Sequence, residues 1–339
     1  MKEQTFQFAT KTYPCYFDAD LTKLNEIVNI NDAIIITDEN VSKTLPPNLD
    51  AFRKIIIPAG EQHKQQATVD KIIEELIKLN TERQSIIIGI GGGVITDIAG
   101  YVASVYMRGV KCGLIPTSIL AMVDASVGGK NGVDVGIYKN LVGTIRHPEF
   151  LMFDNNMLSS LPQHEWVNGF AEVIKHGCIK DREMFDQLVH SNLNKYINEP
   201  TLISELIKRN VQIKYNIVSN DEFEKGDRKL LNFGHTIGHA IENKYELPHG
   251  HAISIGMVAA CKISEQLLGF NQSQQVIDLL KKYGLPVYLD FAKEAVWDIL
   301  LKDKKKEGNT MNFILLKQIG DAVIHPIKLK VLKQIFDKL

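Results

Sequence analysis

The stretch of sequence that decides the fold reads GIGGGVITD and runs from Gly89 to Asp97. It follows an apolar segment, Ser85–Ile90, with the character of a buried strand, and it opens a segment with helical character. Glycines at such a turn let the backbone approach a pyrophosphate, whose charge is met by free N–H groups and by the helix dipole. The stretch therefore predicts a dinucleotide-binding turn. A tight turn without a ligand remains the alternative, because Val94 stands where the third glycine of the usual pattern would be.

Short apolar segments surround this turn in the first half of the chain. Ala33–Thr37, Lys54–Ile57 and Gly113–Ile115 are brief and rich in β-branched residues, as buried strands are. Between the second and third of the four strands, the apolar residues of Gln66–Asn80 recur with the period of an amphipathic helix. Alternating strands and helices predict a mostly parallel sheet with helices on both faces, and such sheets bind ligands at the carboxyl ends of their strands.

The pattern changes after Leu151–Asp154, and helical periods dominate from Pro162 onward. The predicted helices are Glu165–Ile179, Arg182–Ile197, Thr201–Val218, Leu230–Tyr245, His251–Leu268 and Ser273–Tyr283. An extended pattern returns only at Met311–Leu316. We therefore predict an α/β domain over residues 1–161, with a Rossmann-like parallel sheet, followed by a mainly α-helical domain over residues 162–339.

Composition bounds the classes of function. The chain has 339 residues, 45% of them hydrophobic, and its 39 basic and 40 acidic side chains give a net charge of −1. A nucleic-acid binder would carry a basic excess, so we expect no nucleic-acid partner. The four cysteines are scattered, which argues against disulfides and thiolate zinc sites and favours a reducing cytoplasm. We expect neither a signal peptide nor a membrane span, because the N-terminal segment MKEQTFQFAT has no apolar core and no later apolar run is long enough.

Two further features of the first half are compatible with anion and ribose binding. The glycine-rich segment Asp124–Asn140 contains Lys130 and Lys139, and consecutive N–H groups beside ammonium groups form an anion nest. Its spacing is not that of a nucleoside-triphosphate loop, and a solvated loop is the alternative. Asp38 and Asn40 follow the first strand, where they could accept hydrogen bonds from a ribose or simply cap a turn.

Metal-competent side chains concentrate in three stretches of the second half, GFAEVIKHG, NFGHTIGHAIE and LPHGH. They supply Glu172, His235, His239, His249 and His251. A carboxylate and two imidazoles with an open fourth position are the usual composition of a catalytic zinc site. Spacing alone favours His235 and His239 as joint ligands, since they are four apart on one helix face, and it gives no information on Glu172. A lone helical histidine is as often a satisfied core residue.

Charged and polar groups accompany these stretches. Lys175 lies three residues after Glu172 and hence on the same predicted helix face, and Lys214, Glu224 and Arg228 precede the histidines. Cationic side chains beside a metal suggest an anionic substrate, held by bidentate and point-charge contacts. Solvated helix faces are the alternative explanation for such charges.

Taken together, the motifs resemble the 3-dehydroquinate synthase family of sugar phosphate cyclases from about Thr37 to the C-terminus. The resemblance rests on TDEN, AGEQHK, GGGVITD, YMRG, PTSIL, DASVGGKNGV, YKN, GFAEVIKHG, DEFEKGDRKLLNFGHTIGHAIE, HGHAISIGM and DKKKEG. It implies a Rossmann-like domain followed by a helical domain, tightly held NAD, one zinc ion (with cobalt also possible) and a homodimer.

Carried over motif by motif, the resemblance implies a role for each matching residue. The metal ligands fall on Glu172, His235 and His249, which overrides the spacing argument, and His239 becomes a proton-transfer residue with Glu224 as its companion. Lys175 and Lys130 join these two as catalytic residues. The implied NAD contacts are Asp38, Asn40, Gly60, Glu61, Lys64, Gly92, Gly93, Val94, Asp97, Thr117, Ser118, Lys130, Lys139 and Ser160. The implied substrate contacts are Arg108, Asp124, Asn140, Lys175, Lys214, Arg228 and Asn232, with one lysine of Lys304–Lys305 closing over the site.

The sequence departs from the family pattern at a few positions. His251 stands where the family usually has Glu, and a second imidazole beside His249 could compete for the metal or retune its neighbours. We expect His249 to be the ligand and His251 to lie outside the ligand set. The other departures, at Thr96, Ser118 and Ile145–Arg146, fall at tolerant positions.

The implied reaction converts a seven-carbon keto acid phosphate, 3-deoxy-D-arabino-heptulosonate 7-phosphate, into 3-dehydroquinate and phosphate. It proceeds by transient oxidation with NAD, phosphate elimination, re-reduction and intramolecular aldol closure, and it belongs to the shikimate pathway of aromatic amino-acid biosynthesis. Three alternatives stay open. Another sugar phosphate cyclase would have no reason to keep Arg228, because its substrates have no carboxylate. A metal-dependent polyol dehydrogenase would release NADH, and a non-catalytic NAD-binding module would need no metal set.

Overall fold

This computed structural model of the chain describes residues 1–136, 138–301 and 306–339. Within them the strands are β1 Lys2–Gln7, β2 Thr12–Phe17, β3 Ala33–Asp38, β4 Arg53–Ile57, β5 Ile86–Gly91, β6 Lys111–Pro116, β7 Lys130–Val135, β8 Tyr138–Ile145, β9 Phe150–Met152, β10 Lys306–Glu307, β11 Thr310–Gln318 and β12 Asp321–Lys328. The α-helices are α1 Leu24–Ile27, α2 Gln66–Lys78, α3 Gly93–Val105, α4 Gln163–Lys180, α5 Arg182–Val189, α6 Leu193–Asn198, α7 Pro200–Asn220, α8 His235–Tyr245, α9 His249–Leu268, α10 Ser273–Lys282, α11 Lys293–Leu300 and α12 Leu329–Phe336. Short 3-10 turns connect several of them.

The chain divides into two compact units. The first comprises Met1–Glu165 and Pro200–Glu222, and the second comprises Trp166–Glu199 and Phe223–Leu339. Helix α7 therefore packs with the first unit, although it lies far along the helical part of the sequence. The domain assignment of residues 1–161 and 162–339 stays a prediction. In the part of the chain that the structure describes, we find no helix with the length and apolarity needed to cross a bilayer.

The first unit is built on a mostly parallel sheet. Over the described residues its strand order is β1-β2-β9-β6-β5-β3-β4, and only the pair β1–β2 is antiparallel. The four apolar segments predicted as strands are β3, β4, β5 and β6, and Gln66–Asn80 forms α2. The isoleucines of these four strands build the core, because β-branched side chains fill both faces of a buried parallel sheet. Ile35, Ile88 and Ile115 are each 0% exposed.

The glycine-rich turn connects β5 to α3 as the sequence predicts. Strand β5 ends at Gly91, Gly92 is the N-cap, and α3 begins at Gly93. Two glycines allow α3 to lie close to its neighbours: a Cβ on Gly89 would be 2.6 Å from the Cβ of Ala99, and one on Gly100 would be 1.8 Å from Oδ1 of Asn131. The turn thus presents backbone N–H groups at the start of a tightly packed helix.

The second glycine-rich segment has more regular structure than a solvated loop. Residues 121–125 form one π-helical turn, and the segment then continues into the antiparallel hairpin β7–β8. Gly132 and Gly143 face each other across this hairpin, where a Cβ on Gly143 would lie 2.1 Å from the carbonyl oxygen of Asn131. Glycine is therefore required for the two strands to approach.

The second unit is largely helical, and it differs from the sequence prediction in several places. The predicted helix Arg182–Ile197 is broken into α5 and α6, because the Asn192 side chain accepts a hydrogen bond from the Lys195 backbone N at 3.0 Å and starts a new helix. The predicted helix Leu230–Tyr245 begins only at His235, because Gly234 adopts a left-handed φ of 79°. The extended segment Met311–Leu316 is the middle of the longer strand β11, which pairs with β10 and β12.

Helices α8 and α9 pack at an unusually close distance around glycines. A Cβ on Gly256 of α9 would lie 1.9 Å from the carbonyl oxygen of Gly234 and 2.8 Å from the backbone N of Gly238. Around this contact, Ile237, Ile241 and Trp297 contribute to one apolar cluster with residues of β11 and α12. The close approach fixes the relative position of the segments that carry the histidines.

We expect Gly256→Ala to destabilise the protein by about 1–3 kcal/mol or more, as overpacking does, since the added methyl group overlaps backbone atoms that cannot rotate away. The measurement is the thermal unfolding midpoint of the purified protein, which should fall by several degrees. Gly269→Asn is the control, because Gly269 ends the same helix in a left-handed conformation, and among the described residues no atom beyond its local backbone lies within 4 Å of where its Cβ would be. Equal midpoints for Gly256→Ala and the parent would contradict the packing argument.

Candidate metal centre and active site

Glu172 is the buried carboxylate at the centre of the second unit's site. It lies on α4 and is 0% exposed. Lys175, one helical turn further on and 1% exposed, forms an ion pair with Oε2 of Glu172, which confirms that the two share a helix face. A buried charge of this kind is stable only with such compensation.

His235 begins α8 and presents a neutral imidazole to this carboxylate. Its Nδ1 lies 3.1 Å from the carbonyl oxygen of Phe233, and its Nε2 lies 3.5 Å from Oε1 of Glu172. Burial and the positive charge of Lys175 lower the pKa of His235 to about 3. With Nδ1–H donating to the carbonyl, the lone pair of Nε2 faces Glu172.

His249 begins α9 and lies between two carboxylates. Its Nε2 is 3.2 Å from Oε1 of Glu172, and its Nδ1 is 3.3 Å from Oε2 of Glu242. Burial opposes a charge on this imidazole, but the two carboxylates outweigh burial and raise its pKa to about 10. The ring therefore has an anionic partner on each nitrogen.

These three side chains fit a divalent metal. Glu172, His235 and His249 each offer one ligand atom, and the three atoms lie within 4.8 Å of one another. One carboxylate and two imidazoles, one of them held neutral, are donors that zinc and cobalt accept. Metal ligation by this set stays a prediction.

The two histidines that spacing alone pairs, His235 and His239, lie close together but do not share a candidate metal group among the described residues. Their ring centroids are 4.9 Å apart. His239 instead joins an overlapping group with Glu242 and His249. His251 is half-buried, with a pKa lowered by burial, and it is in none of the groups found over the described range.

Glu224, Arg228 and Asn232 lie together on the segment before α8. Glu224 has a left-handed φ of 59°, a conformation that is costly for a residue with a side chain, and the Asn232 amide donates to its Oε1 at 2.6 Å. Arg228 is 2% exposed on the short 3-10 turn Asp227–Asn232. Strained backbone clusters at functional sites, so this segment is a candidate part of the active site.

In the first unit, several predicted NAD contacts lie at the carboxyl ends of neighbouring strands. Strands β6, β5, β3 and β4 are adjacent in that order. The predicted contacts that end these strands or follow within three residues of them are Asp38, Gly60, Gly92 and Thr117. The structure thus brings them to one edge of the sheet, the edge at which parallel sheets bind ligands.

Some of these residues make local contacts within the first unit. Oδ1 of Asp38 accepts hydrogen bonds from the backbone N atoms of Asn40 and Val41, both at 2.9 Å, so it caps the next turn, as the alternative interpretation has it. The Ser118 hydroxyl oxygen accepts from the backbone N of Ala121 at 3.3 Å. Gly93 and Val94 open α3, while Ser160 ends a 3-10 turn and is exposed.

A buried lysine connects three of the predicted binding segments. Nζ of Lys64 donates to Oδ2 of Asp97 at 2.5 Å and to Oδ1 of Asn140 at 2.6 Å. Burial opposes charge on Lys64, but Asp97 and Glu61 outweigh it and raise the pKa of the ammonium above its usual range. Lys64 is therefore charged at neutral pH and holds the hairpin beside α3.

Further cation–carboxylate contacts extend this cluster. Nζ of Lys139 lies 3.1 Å from Oε1 of Glu61 and 3.3 Å from Oδ2 of Asp134. Nζ of Lys214 lies 2.9 Å from Oδ1 of Asp124 and donates to the Asp124 carbonyl oxygen at 2.6 Å.

The remaining predicted contacts are exposed or lie outside the described residues. Arg108 is exposed with a left-handed φ of 64°, and Lys130 is exposed at the start of β7. The predicted closing pair Lys304–Lys305 lies outside the described residues.

Sequence reasoning missed two side chains beside the candidate metal centre. Glu242 contacts Nδ1 of His249, and Oδ1 of Asn168 accepts a hydrogen bond from the backbone N of Gly250 at 2.5 Å. Helical spacing offered a signal for both, since Glu242 lies three residues after His239 and Asn168 lies four before Glu172. It could not show which partner either one meets.

Comparison with known proteins assigns the family. The family model described as 3-dehydroquinate synthase N-terminal matches residues 54–168, and the one described as 3-dehydroquinate synthase C-terminal matches residues 169–306. The 3-dehydroquinate synthase of Pyrococcus furiosus is 42% identical over 289 residues, 84% of each chain. That of Streptococcus pneumoniae (strain JJA) is 37% identical over 325 residues, 91% of each chain.

Solved structures show the same fold at lower identity. A 2-deoxy-scyllo-inosose synthase complexed with carbaglucose-6-phosphate, NAD+ and Co2+ has a TM-score of 0.85 at 24% identity, with 99% of this chain and 100% of that one covered. A 2-epi-5-epi-valiolone synthase from Streptomyces hygroscopicus, with NAD+ and Zn2+ bound, has a TM-score of 0.89 at 24% identity, with 99% and 97% covered. They confirm the predicted fold class, a parallel-sheet part followed by a helical part. From the family models and the identities over most of its length, the chain belongs to the 3-dehydroquinate synthase family.

Proposed function

We propose that this chain is a 3-dehydroquinate synthase, which converts 3-deoxy-D-arabino-heptulosonate 7-phosphate into 3-dehydroquinate and phosphate and returns its NAD unchanged. The observation that carries the proposal is the convergence of Glu172, His235 and His249 in a member of this family, with their ligand atoms within 4.8 Å. A carbon–oxygen lyase of this kind needs a metal set, dinucleotide contacts and acid–base groups in one chain, and the predicted residues supply candidates for all three.

The cofactor assignment is zinc or cobalt together with NAD. When bound, the ion would supply Lewis acidity at the hydroxyl to be oxidised, and NAD would supply reversible oxidation. The donor set of Glu172, His235 and His249 supports the ion, and the two similar cyclase structures hold NAD+ with Co2+ or Zn2+. The strand ends around Gly92 support the dinucleotide.

The substrate carries two anionic groups, and we assign cations to each. Lys130, Arg108 and the amide of Asn140 would bind the phosphate, and Arg228 would bind the carboxylate. Burial of Arg228, which is 2% exposed, supports this role because a guanidinium removed from water binds a carboxylate more strongly than an exposed one.

Two groups are assigned to proton transfer. Glu224 would act with His239, and Asn232 supports the assignment by donating to Oε1 of Glu224, which orients that carboxylate. Lys175 holds a positive charge against Glu172, and the second oxygen of that carboxylate faces the two imidazoles.

We further propose a cytoplasmic homodimer. All four cysteines are buried and free, which supports a reducing compartment. The homodimer is proposed from family membership, and we propose no nucleic-acid partner because the net charge of −1 gives no basic excess.

The test of the proposed function is a parallel assay of phosphate and NADH. With 3-deoxy-D-arabino-heptulosonate 7-phosphate as substrate, turnover should release one phosphate per substrate consumed, with no net rise in NADH absorbance, because the dinucleotide is reoxidised before product leaves. Stopped-flow absorbance should show a transient NADH signal if elimination is slower than the oxidation. Steady accumulation of NADH without phosphate would instead identify a polyol dehydrogenase.

Removal of a metal ligand should remove both metal and activity. We expect the purified protein to hold about one equivalent of a divalent ion by elemental analysis, and Glu172→Ala and His235→Ala to hold far less. His164→Ala is the control, because the His164 side chain is 76% exposed on the same helix as Glu172. A full equivalent of metal with full activity in Glu172→Ala would overturn the ligand assignment.

Arg228 separates this reaction from those of cyclases whose substrates have no carboxylate. Loss of a desolvated charge pair costs about 2–5 kcal/mol, so Arg228→Leu should lower kcat/KM for the keto acid phosphate by roughly 30- to 5,000-fold. Arg228→Lys should lose less, since it keeps the charge but not the planar fork. Lys229→Leu removes a neighbouring half-buried cation as the control. An unchanged kcat/KM in Arg228→Leu, with an unchanged unfolding midpoint, would contradict the carboxylate assignment.

A further inference from the structure

Glu242 lies on the side of His249 that faces away from the predicted metal ligands. It is 7% exposed near the end of α8, and its Oε2 is 3.3 Å from Nδ1 of His249. The other ring nitrogen, Nε2, is 3.2 Å from Oε1 of Glu172. One imidazole therefore connects the two carboxylates through its two nitrogens.

A histidine that binds a metal through Nε2 needs a partner for its Nδ1–H. A carboxylate there fixes the tautomer and the ring orientation and makes Nε2 a better donor. His235 has a backbone carbonyl, that of Phe233, in the same position. The two imidazoles thus have partners of different strength, and only that of His249 carries a charge.

The backbone of His249 is held as firmly as its ring. The backbone N of Gly250 donates to Oδ1 of Asn168 at 2.5 Å, and a Cβ on Gly250 would lie 2.1 Å from the carbonyl oxygen of Asn168. Asn168 lies on α4, one turn before Glu172. The start of α9 is therefore fixed to the helix that carries the central carboxylate. The His249 ring can still rotate about its side-chain bonds, and the contact with Glu242 restricts that rotation.

We propose that Glu242 is a positioning residue that holds Nε2 of His249 towards the metal, and that it is not itself a ligand. This inference rests on the metal site of the proposed function. Oε1 of Glu172 lies 3.5 Å from Nε2 of His235 and 3.2 Å from Nε2 of His249, so the ligand atoms meet on the Nε2 side of His249. Glu242 contacts the same ring at Nδ1, away from that meeting point.

The overlapping group of His239, Glu242 and His249 defines the competing arrangement, in which Glu242 would be a ligand. The two arrangements predict different effects. Removal of a positioning carboxylate weakens metal binding by roughly 10- to 100-fold and leaves the set of ligands unchanged. Removal of a ligand changes the coordination itself.

The experiment measures Co2+ binding to the full-length protein by competition with a chelator, together with the visible absorption spectrum of the bound Co2+. The variants are Glu242→Ala, the isosteric Glu242→Gln, and Glu172→Ala. Glu246→Gln is the matched control, since Glu246 is exposed at the end of the same helix and the change removes the same charge. Unfolding midpoints of the metal-free proteins identify any variant that fails to fold. If Glu242→Ala does not fold, the isosteric Glu242→Gln still tests the proposal.

Four results support the proposal when they occur together. The Co2+ dissociation constant rises roughly 10- to 100-fold in Glu242→Ala and less in Glu242→Gln, the spectrum in both keeps the shape seen in the parent, and Glu246→Gln binds Co2+ within about twofold of the parent. Two results overturn the proposal while the metal site stands. In the first, Glu242→Gln and Glu242→Ala both bind Co2+ as tightly as the parent. In the second, the Glu242 variants show a changed Co2+ spectrum and lose as much Co2+ affinity as Glu172→Ala. Parent-like Co2+ binding by Glu172→Ala would instead overturn the metal site of the proposed function.

Discussion

The contact on which the second unit's site depends is between the carboxylate of Glu172 and the cationic and imidazole groups around it. The carboxylate is 0% exposed, so its charge is stable only because Lys175 pairs with one oxygen and the imidazole of His249 faces the other. These groups come from α4, α8 and α9. One buried charge thus brings together the middle of α4 and the first residues of α8 and α9, and it gathers one carboxylate and two imidazoles as candidate ligands of a divalent ion.

Helix packing then has to bring these groups together, and small residues make this possible. Gly256 lets α9 lie against the start of α8, and Gly250 lets the first turn of α9 lie against the backbone of Asn168. Both contacts are between backbone atoms, which have no rotamers to adjust. The geometry of the histidines is therefore fixed by steric limits on glycines that have no chemistry of their own.

The sequence predicted what depends on local pattern and missed what depends on tertiary contact. The turn at Gly92 and the strands on either side were predictable, because strand period, glycine and helix start are adjacent in the chain. Helical spacing paired His235 with His239, but spacing reports only which residues share a face. The partner of His249 is Glu172, 77 positions away, and no pattern along the chain measures that distance in space. The family resemblance supplied it, whereas Glu242 was found only by its contact with Nδ1. The late start of α8 has a local cause, the left-handed Gly234, that periodicity does not detect.

The buried charges argue that this chain keeps its polar interior for a reason other than stability. Lys64, Lys175, Lys214 and Arg228 are each at most 7% exposed, and Glu172 is fully buried. Well-packed apolar residues in place of a buried ion pair often leave a protein as stable or more stable, whereas loss of one partner alone costs roughly 3–5 kcal/mol. Each buried charge therefore makes the fold depend on the residue that pairs with it. Selection for stability alone would not retain such a dependence. Carboxylates are buried as deeply as the cations among the described residues, since Asp154, Glu222 and Glu242 join Glu172, and Lys64, Lys175 and Lys214 each pair with a carboxylate. Arg228 is instead assigned, under the proposed function, to the carboxylate of the substrate, which distinguishes that substrate from a sugar phosphate without a carboxylate.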